Sequence, residues 1–309
     1  MPARVRLPNM KSVLTGAADY LLKQGLAAEQ KRAGLAVASI KLSFGRLEYL
    51  ERTGTGSDAP AAILMLHGAT ADRSAWLRLA RHMGRQYTLV IPDLPGHGHS
   101  DAASDYSIGA QAARIKELLC QLTVGRVHVI ANSMGGAIAL HLAATWPALV
   151  RSLTLISAAG VEAGPSWLQE HVARTGANPM LDIEAGADYR AMLRIGMAAP
   201  PYIPGPMLGA LARGFAGRRD INRRIVDDIL RDLDQSEKLA GIRAPSLIIW
   251  GSDDKVLSVA NAALLQQRLA NSKTVVLDGI GHVAMVEAPR KVARLCMAFL
   301  GSAPTTPRA

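Results

Sequence analysis

Short apolar runs that alternate with helical segments constrain the fold of this chain more than any other feature. Four such runs, at residues 62–68, 87–93, 127–131 and 152–157, have the length of a strand and are rich in Ile, Leu and Val. Each is followed by a turn and then by apolar residues at helical spacing, in units of about 30 residues. This alternation predicts an α/β fold, with a mostly parallel sheet between two layers of helices.

The alternation stops near Gly160 and resumes near residue 241. Residues 161–240 have a helical pattern that the prolines of segment 198–207 divide, because proline breaks a continuous helix. We therefore expect a helical cap at 161–240. It would be inserted into a core that is made of two stretches, residues 37–160 and 241–301.

The two ends of the chain fall outside this core. Residues 1–36 are predicted to be an N-terminal helical leader, in which Arg4, Arg6, Lys11, Lys23, Lys31 and Arg32 alternate with apolar residues. Two interpretations stay open: a basic amphipathic helix that lies on an anionic membrane surface, or a helix that packs on its own core. Residues 302–309 are predicted to be a flexible tail.

The sequence gives no sign of a membrane span or a disulfide. The best candidate for a span, residues 12–22, is shorter than the roughly 20 residues required and contains Asp19, which also disfavours a cleavable signal peptide. Cys120 and Cys296 lie in helical, apolar contexts, where small buried side chains are expected. We expect a cytoplasmic protein with peripheral membrane contact; the sequence does not give its oligomeric state.

The net charge of +10 permits several kinds of partner. Only 4% of the residues are aromatic, no basic cluster alternates with aromatic side chains, and no helix-turn-helix or zinc spacing is present. We therefore expect no nucleic-acid partner. A P-loop, a CxxC pair and a metal-spaced set of His, Cys and Asp are missing too, so no metal or cofactor is expected.

A single serine stands between an apolar run and a helical segment. Ser133 is flanked by Ala131 and Gly135, in the pattern small-x-Ser-x-small. Small residues at these places permit the tight strand-to-helix turn that exposes a nucleophile. An ordinary loop between a strand and a helix can have the same pattern.

Two later strands are followed by the other groups that a serine nucleophile needs. Asp253 and Asp254 follow the run 246–251, and His282 follows the run 274–279. Parallel strands bring their carboxyl ends to one edge of the sheet, where an imidazole can take the serine proton and a carboxylate can orient the imidazole. His128 and His141, in contrast, are expected to be packed or surface histidines.

Five segments, in this order, resemble motifs of the α/β-hydrolase superfamily: HGATADRSAW (67–76), PDLPGHGHS (92–100), ANSMGG (131–136), WGSDDKV (250–256) and GHVAMVEAP (281–289). The resemblance extends from Leu42 to Leu300 and implies the α/β-hydrolase fold. It also implies Ser133 as nucleophile and His282 as base. In that family the acid lies three residues after the glycine of the W-G motif, which selects Asp254 over Asp253.

The same resemblance implies the donors of an oxyanion hole. The residue after the His-Gly pair of the first motif is Ala69, and the residue after the nucleophile is Met134. Their backbone N–H groups would stabilise the negative charge that develops on a carbonyl oxygen.

The last two motifs are most similar to those of monoacylglycerol-lipase-like hydrolases and related bacterial lipases and esterases. That similarity implies a serine carboxylic-ester hydrolase that acts on acylglycerol-like or medium-chain esters through an acyl-enzyme. Trp167, Met197, Tyr202 and Met207 of the cap would then line an acyl pocket, although helix packing produces such apolar stripes as well. Many relatives carry an N-terminal membrane anchor, which this sequence does not show.

Three alternatives stay open at this point. The segment 132–136, NSMGG, also resembles the nucleophile turn of C–C bond hydrolases of the meta-cleavage type. Those enzymes tend to have HGGGPGA where this chain has HGATADR, and a tryptophan where it has Val283. A cofactor-free haloperoxidase-like hydrolase shares the same three residues, and a ligand-binding relative without activity shares the fold.

Overall fold

One eight-stranded sheet organises the protein. The computed structural model describes residues 10–55 and 62–302, with side chains from residue 16 onward. The strand order is β1-β2-β4-β3-β5-β6-β7-β8, in which β2 pairs antiparallel with β1 and β4 and all other pairs are parallel. The strands are β1 (Ala36–Leu42), β2 (Gly45–Arg52), β3 (Ile63–Leu66), β4 (Leu89–Pro92), β5 (Val127–Ser133), β6 (Val150–Ala158), β7 (Ser246–Gly251) and β8 (Ser272–Leu277).

Helices follow most of the parallel strands, as the sequence predicts. They are α1 (Met10–Ala33), α2 (Leu77–Ala80), α3 (Ile108–Leu122), α4 (Met134–Thr145), α5 (Trp167–Thr175), α6 (Gly186–Gly196), α7 (Gly205–Ala216), α8 (Arg219–Ile229), α9 (Ala260–Arg268), α10 (Ala284–Glu287) and α11 (Pro289–Ser302). Short 3-10 helices lie at Arg73–Trp76, Pro147–Leu149 and Ser236–Gly241. Helices α5 to α8 all fall between β6 and β7, within the residues that we propose as the cap.

The central strands are apolar throughout because the sheet is covered on both faces. In β3, Leu64 and Leu66 join the hydrophobic cluster that contains α3, α4 and α9, whereas Ile63 and Met65 join the cluster that contains α2 and α11. Successive side chains of a strand point to opposite faces, so each face receives its own set. The predicted mostly parallel sheet between two layers of helices is thus confirmed.

One helix after β3 is shorter than its sequence pattern indicates. The segment from Arg73 to Met83 has apolar residues at helical spacing, but the helix is short: a 3-10 turn leads into α2, and residues 81–83 continue as single turns rather than as helix. Asp72 starts the 3-10 turn by accepting a hydrogen bond from the Ser74 N–H at 2.7 Å. Residues 56–61, and residues 303–309 of the predicted tail, lie outside the described residues.

Helix α1 accounts for most of the predicted leader. It packs against α2 and against α7, where Asp19 forms an ion pair of 2.9 Å with Arg213. Its outer face nevertheless exposes Tyr20 and Leu21, at 61% and 58%. The helix therefore packs on its own chain and still presents apolar side chains to solvent. Within the described residues, no helix is both long and apolar enough to cross a membrane.

The two cysteines differ in their environments. Cys296 is fully buried in α11, but Cys120 is exposed, so the expectation that both are buried was wrong for Cys120. The inner face of α3 is formed by Ile115, Leu118 and Leu119, which turns Cys120 outward. Neither cysteine forms a disulfide.

We expect thiol titration to separate these two cysteines. Burial raises the pKa of the Cys296 thiol to about 12, so this side chain is both shielded and protonated at neutral pH. Native protein should react with Ellman's reagent at Cys120 alone, and Cys120→Ser should be almost unreactive until it is denatured. Rapid reaction of both thiols in the native protein would contradict this packing of α11.

Candidate active site

Ser133 stands on a strained turn between β5 and α4. Its backbone has φ 53° and ψ −121°, outside the regions that residues other than glycine normally adopt. Neighbouring elements approach so closely that a Cβ atom at Gly135 would lie 2.4 Å from the carbonyl oxygen of Leu66. The Ser133 carbonyl also accepts a 3.0 Å hydrogen bond from the Ala159 N–H. These contacts hold a conformation that the chain would not otherwise adopt.

His282 lies against Asp254, and both are buried. The His282 Nδ1 and the Asp254 Oδ2 are 2.9 Å apart, and their side chains are 6% and 0% exposed. The other carboxylate oxygen, Oδ1, accepts hydrogen bonds from the backbone N–H groups of Val256 at 2.9 Å and Leu257 at 3.0 Å. The acid is therefore fixed on both oxygens.

The surroundings of Asp254 keep its carboxylate ionised. Burial by itself raises the pKa, but the facing His282, the Leu257 N–H and the Ser157 hydroxyl together lower the pKa below its usual value. An ionised Asp254 accepts the Nδ1 proton of His282 and leaves Nε2 free to act as a base. Asp253, its competitor in the sequence, is exposed and binds the Ser252 hydroxyl at 2.8 Å instead.

Asn132 connects the serine turn to the histidine loop, a role that the sequence analysis missed. Its side-chain nitrogen donates hydrogen bonds to the carbonyl oxygens of Ile156, at 3.0 Å, and His282, at 3.2 Å. Ser133 and His282 form no hydrogen bond themselves in the described structure; catalytic hydrogen bonds often tighten only when substrate binds. The signal in the sequence was an amide side chain at the end of an otherwise apolar strand.

His67 orients the peptide that would supply the first oxyanion donor. Its Nε2 accepts the Leu94 N–H at 3.0 Å, so Nδ1 carries the proton that it donates to the Gly68 carbonyl at 2.8 Å. Burial lowers the pKa of His67, which keeps the ring neutral. In a trans peptide the C=O and N–H groups point in opposite directions, so the Ala69 N–H is aimed away from His67.

Both predicted oxyanion donors lie beside Ser133. A Cβ atom at Gly68 would come within 3.1 Å of the Ser133 Cβ, which places the loop that carries Ala69 directly over the serine. Met134 is the first residue of α4, whose initial N–H groups have no partner within the helix. The arrangement is suited to an oxyanion hole, and the two roles stay proposals.

A buried ion-pair network anchors this loop to the end of β4. The Arg73 side chain contacts Asp93 at 3.1 Å and Glu48 at 2.5 Å. The backbone N–H of Arg73 also donates a hydrogen bond to the Asp93 carboxylate at 2.8 Å. Glu48, Asp93 and His99 form the one cluster among the described residues that is compact enough to ligate a metal. Since the Arg73 guanidinium already supplies a cation there, we interpret the cluster as structural.

The four residues of the proposed cap that are predicted to bind substrate occupy different environments. Met197 is buried, and the close packing of Gly281 against its Cα places it next to the histidine loop. Met207 is partly buried. Trp167, 42% exposed, stacks on His171 with 4.9 Å between ring centroids, and Tyr202 is 86% exposed. Their contact with substrate stays a prediction, for which Met197 has the most direct position.

Glu287 joins the segment that follows α6 to the histidine loop, a connection that the sequence did not indicate. One carboxylate oxygen accepts the Gly281 N–H at 2.9 Å and the Ala198 N–H at 3.4 Å, and the other accepts the Ala199 N–H at 2.8 Å. Gly281 precedes His282, whereas Ala198 and Ala199 follow α6. One carboxylate thus holds two separate segments together.

The remaining histidines of the sequence analysis have structural contacts. His128 is buried and lies 2.7 Å from the Ser152 hydroxyl, and burial, aided by Arg151, lowers its pKa to about 4. His141 bonds to Gln235 across 3.0 Å. Their interpretation as packed side chains is confirmed.

Comparisons with known proteins point to one family. A model of the alpha/beta hydrolase family matches residues 63–295. The chain is 31% identical to Lipase 1 of Psychrobacter immobilis over 279 residues, which covers 88% of this chain and 86% of that protein. It is also 31% identical to monoacylglycerol lipase ABHD6 of Rattus norvegicus over 255 residues, 78% of this chain and 75% of that protein.

Solved structures agree with the sequence relatives. A membrane phospholipase A, described as a bacterial virulence factor, is 33% identical and superimposes with a TM-score of 0.89 over 96% of this chain and 95% of that one. A meta-cleavage product hydrolase from Pseudomonas fluorescens has a TM-score of 0.73 at 20% identity over 86% and 98% of the two chains, a likeness that shows the fold alone.

Exchange of each candidate acid for its amide should identify the group that orients His282. We expect Asp254→Asn to lower kcat by roughly 10³- to 10⁴-fold, since the amide removes the negative charge and favours the wrong imidazole tautomer. Asp253→Asn should stay within about twofold of wild type, because that residue is exposed. Hydrolysis of a soluble p-nitrophenyl ester measures both, and a larger loss at Asp253 would reverse the assignment.

Removal of the Glu287 carboxylate should impair catalysis, because this residue positions the histidine loop and does so without touching the substrate itself. In Glu287→Ala three backbone N–H groups would lose their acceptor. Each lost hydrogen bond, being partly exposed, should lower the free energy of unfolding by about 1 kcal/mol. We therefore expect a reduced kcat and a lower melting temperature. Glu287→Gln keeps one acceptor oxygen and should be intermediate. The exposed Glu170 of α5 provides the control, Glu170→Ala. Wild-type kinetics in Glu287→Ala would exclude the positioning role.

Proposed function

Because the chain belongs to the alpha/beta hydrolase family and is a serine hydrolase of the carboxylesterase and lipase type, we propose that Ser133, His282 and Asp254 are its catalytic residues. The observation that carries this proposal is the buried 2.9 Å contact of His282 with Asp254, at the sheet edge that also holds the strained Ser133. The proposed substrates are carboxylic esters of acylglycerols or similar lipids.

The reaction begins when Ser133 Oγ attacks the ester carbonyl and His282 Nε2 removes the serine proton. Asp254 stabilises the imidazolium that forms, because its own pKa is low and it stays ionised. His282 then gives the proton to the leaving alcohol, and the acyl-enzyme remains on Ser133. A water molecule, deprotonated by the same imidazole, attacks the acyl-enzyme and releases the carboxylic acid.

The tetrahedral intermediates carry their negative charge on the former carbonyl oxygen. The N–H groups of Ala69 and Met134 are the proposed donors to this oxygen. One is oriented through the His67 hydrogen bond to Gly68, and the other belongs to the first turn of α4. Fixed donors of this kind each lower the barrier by about 3 to 4 kcal/mol. The proposed steps need neither a metal nor an organic cofactor.

The relatives support an ester substrate over the alternative reactions. Proteins named as lipases are 30% or more identical to this chain over most of its length. The meta-cleavage hydrolase is similar only at the level of the fold. The C–C hydrolase, haloperoxidase-like and non-enzymatic alternatives are therefore not favoured. The proposed cap at residues 161–240, where Met197 borders the histidine loop, would select the length of the acyl chain.

The proposed place of action is the cytoplasm, with peripheral contact to an anionic membrane surface. Support comes from α1, which exposes Tyr20 and Leu21 next to the basic Lys23. Apolar and basic side chains on one helix are the combination that binds at a lipid interface. A substrate that resides in such an interface would be within reach of the protein.

A chain-length series would test the nucleophile and the substrate class together. We expect wild-type protein to hydrolyse p-nitrophenyl esters and monoacylglycerols, and Ser133→Ala to lose at least about 10³-fold in kcat. Ser39→Ala, an exposed position on β1, should have no effect. Undiminished hydrolysis by Ser133→Ala would refute the nucleophile, and a preference for vinylogous diketone acids over every ester would favour the C–C alternative.

A further inference from the structure

A basic groove runs between α2 and α11, on the face of the sheet opposite α3 and α4. It encloses about 340 Å³ and is lined by His82, Arg290, Ala293, Arg294 and Met297. Ala293 is buried and Met297 partly buried, so the floor of the groove is apolar. The rim is formed by guanidinium groups, since Arg290 and Arg294 are exposed one turn apart on α11.

The positive charges of this groove have no acidic partner in the described part of the chain. Arg78 in α2 and Arg81 directly after α2 are exposed, as are Arg290, Lys291 and Arg294 of α11. None of the five belongs to any ion pair among the described residues, whereas the exposed Arg213 and Arg223 of the cap are each paired with an aspartate.

Like charges at this density repel one another. The pKa of His82 is lowered by its burial and by the nearby charges of Arg290 and Arg81, so it adds no further charge at neutral pH. Unpaired cations cost folding free energy through this repulsion, and a bound anion relieves it. Such a surface is therefore suited to a polyanionic partner.

Helix α2 links the groove to the proposed lipid-facing helix. It contacts both α11, which carries Arg290 and Arg294, and α1, which exposes Tyr20 and Leu21. Arg290 follows the histidine loop by only a few residues. The basic rim thus begins at the edge of the sheet that carries the proposed catalytic residues.

We propose that the groove between α2 and α11 docks the protein on an anionic phospholipid bilayer, with Arg290, Arg294 and Arg81 on the lipid phosphates. This inference rests on the peripheral membrane contact proposed above and does not depend on the catalytic residues. The bilayer is the occupant that fits both parts of the surface: its phosphates match the cations, and its interface accepts the apolar residues of α1. A nucleic acid would match the charge but leave the apolar residues unused.

Vesicle sedimentation with the full chain tests the groove. We expect wild-type protein to bind vesicles of phosphatidylcholine with one quarter phosphatidylglycerol, to bind pure phosphatidylcholine weakly, and to dissociate as salt is raised. Arg290→Glu/Arg294→Glu should weaken binding by at least about tenfold. The control, Arg243→Glu/Lys273→Glu, changes the net charge equally at exposed positions by the opposite edge of the sheet and should bind nearly as wild type.

Hydrolysis of a soluble short-chain ester, measured on the same samples, separates docking from catalysis and reports correct folding. It should be unchanged in both double variants. If the glutamate variant does not fold, the milder Arg290→Gln/Arg294→Gln should still weaken binding several-fold. If wild-type protein does not bind the anionic vesicles, both the docking role of the groove and the proposed membrane contact are overturned, but the proposed esterase activity is not. Equal losses of vesicle binding in the groove variant and the control variant would mean that net charge alone drives binding. That result would overturn the docking role of the groove.

Discussion

The left-handed backbone of Ser133 is the constraint on which the rest of the site depends. A serine at φ 53° is stable here only because β3 and β6 press against the turn and because Gly135 leaves room for the Leu66 carbonyl. The parallel sheet supplies these neighbours, and the apolar runs of the sequence are what the sheet requires. The same packing exposes the hydroxyl at the strand edge where β7 and β8 deliver Asp254 and His282.

Much of the sheet and of the serine turn could be predicted, because both depend on local patterns in the sequence. Strand-length apolar runs predicted which segments form the parallel strands, and small residues around Ser133 marked the turn. The residues missed were those whose partners are distant in sequence. Asn132 binds the His282 carbonyl and Glu287 binds Ala199, contacts that no periodicity encodes. The prediction that Cys120 is buried was wrong for a simpler reason: helical spacing alone did not show which face of α3 this residue occupies.

Charge on this protein has two different uses. Around the site the charged groups have fixed partners: Arg73 is held between Glu48 and Asp93, and Asp254 accepts hydrogen bonds on both oxygens. Burial makes an unmatched charge expensive, so these groups are found in fixed geometry. On the face of α2 and α11 the cations are unmatched and exposed, where water lowers the cost. The excess of positive charge is therefore a property of the surface and not of the site.

The hydrogen bonds of Glu287 have a consequence for how substitutions distant from the serine act on the proposed base. The carboxylate that secures the segment after α6 also secures Gly281, the residue before His282. Because the two segments share one acceptor group, a change in the position of residues 198–199 also changes the hydrogen bonds that hold the loop of His282. The segment after α6 is therefore part of the support of the proposed base, although Ala199 and Glu287 lie 88 residues apart in the sequence.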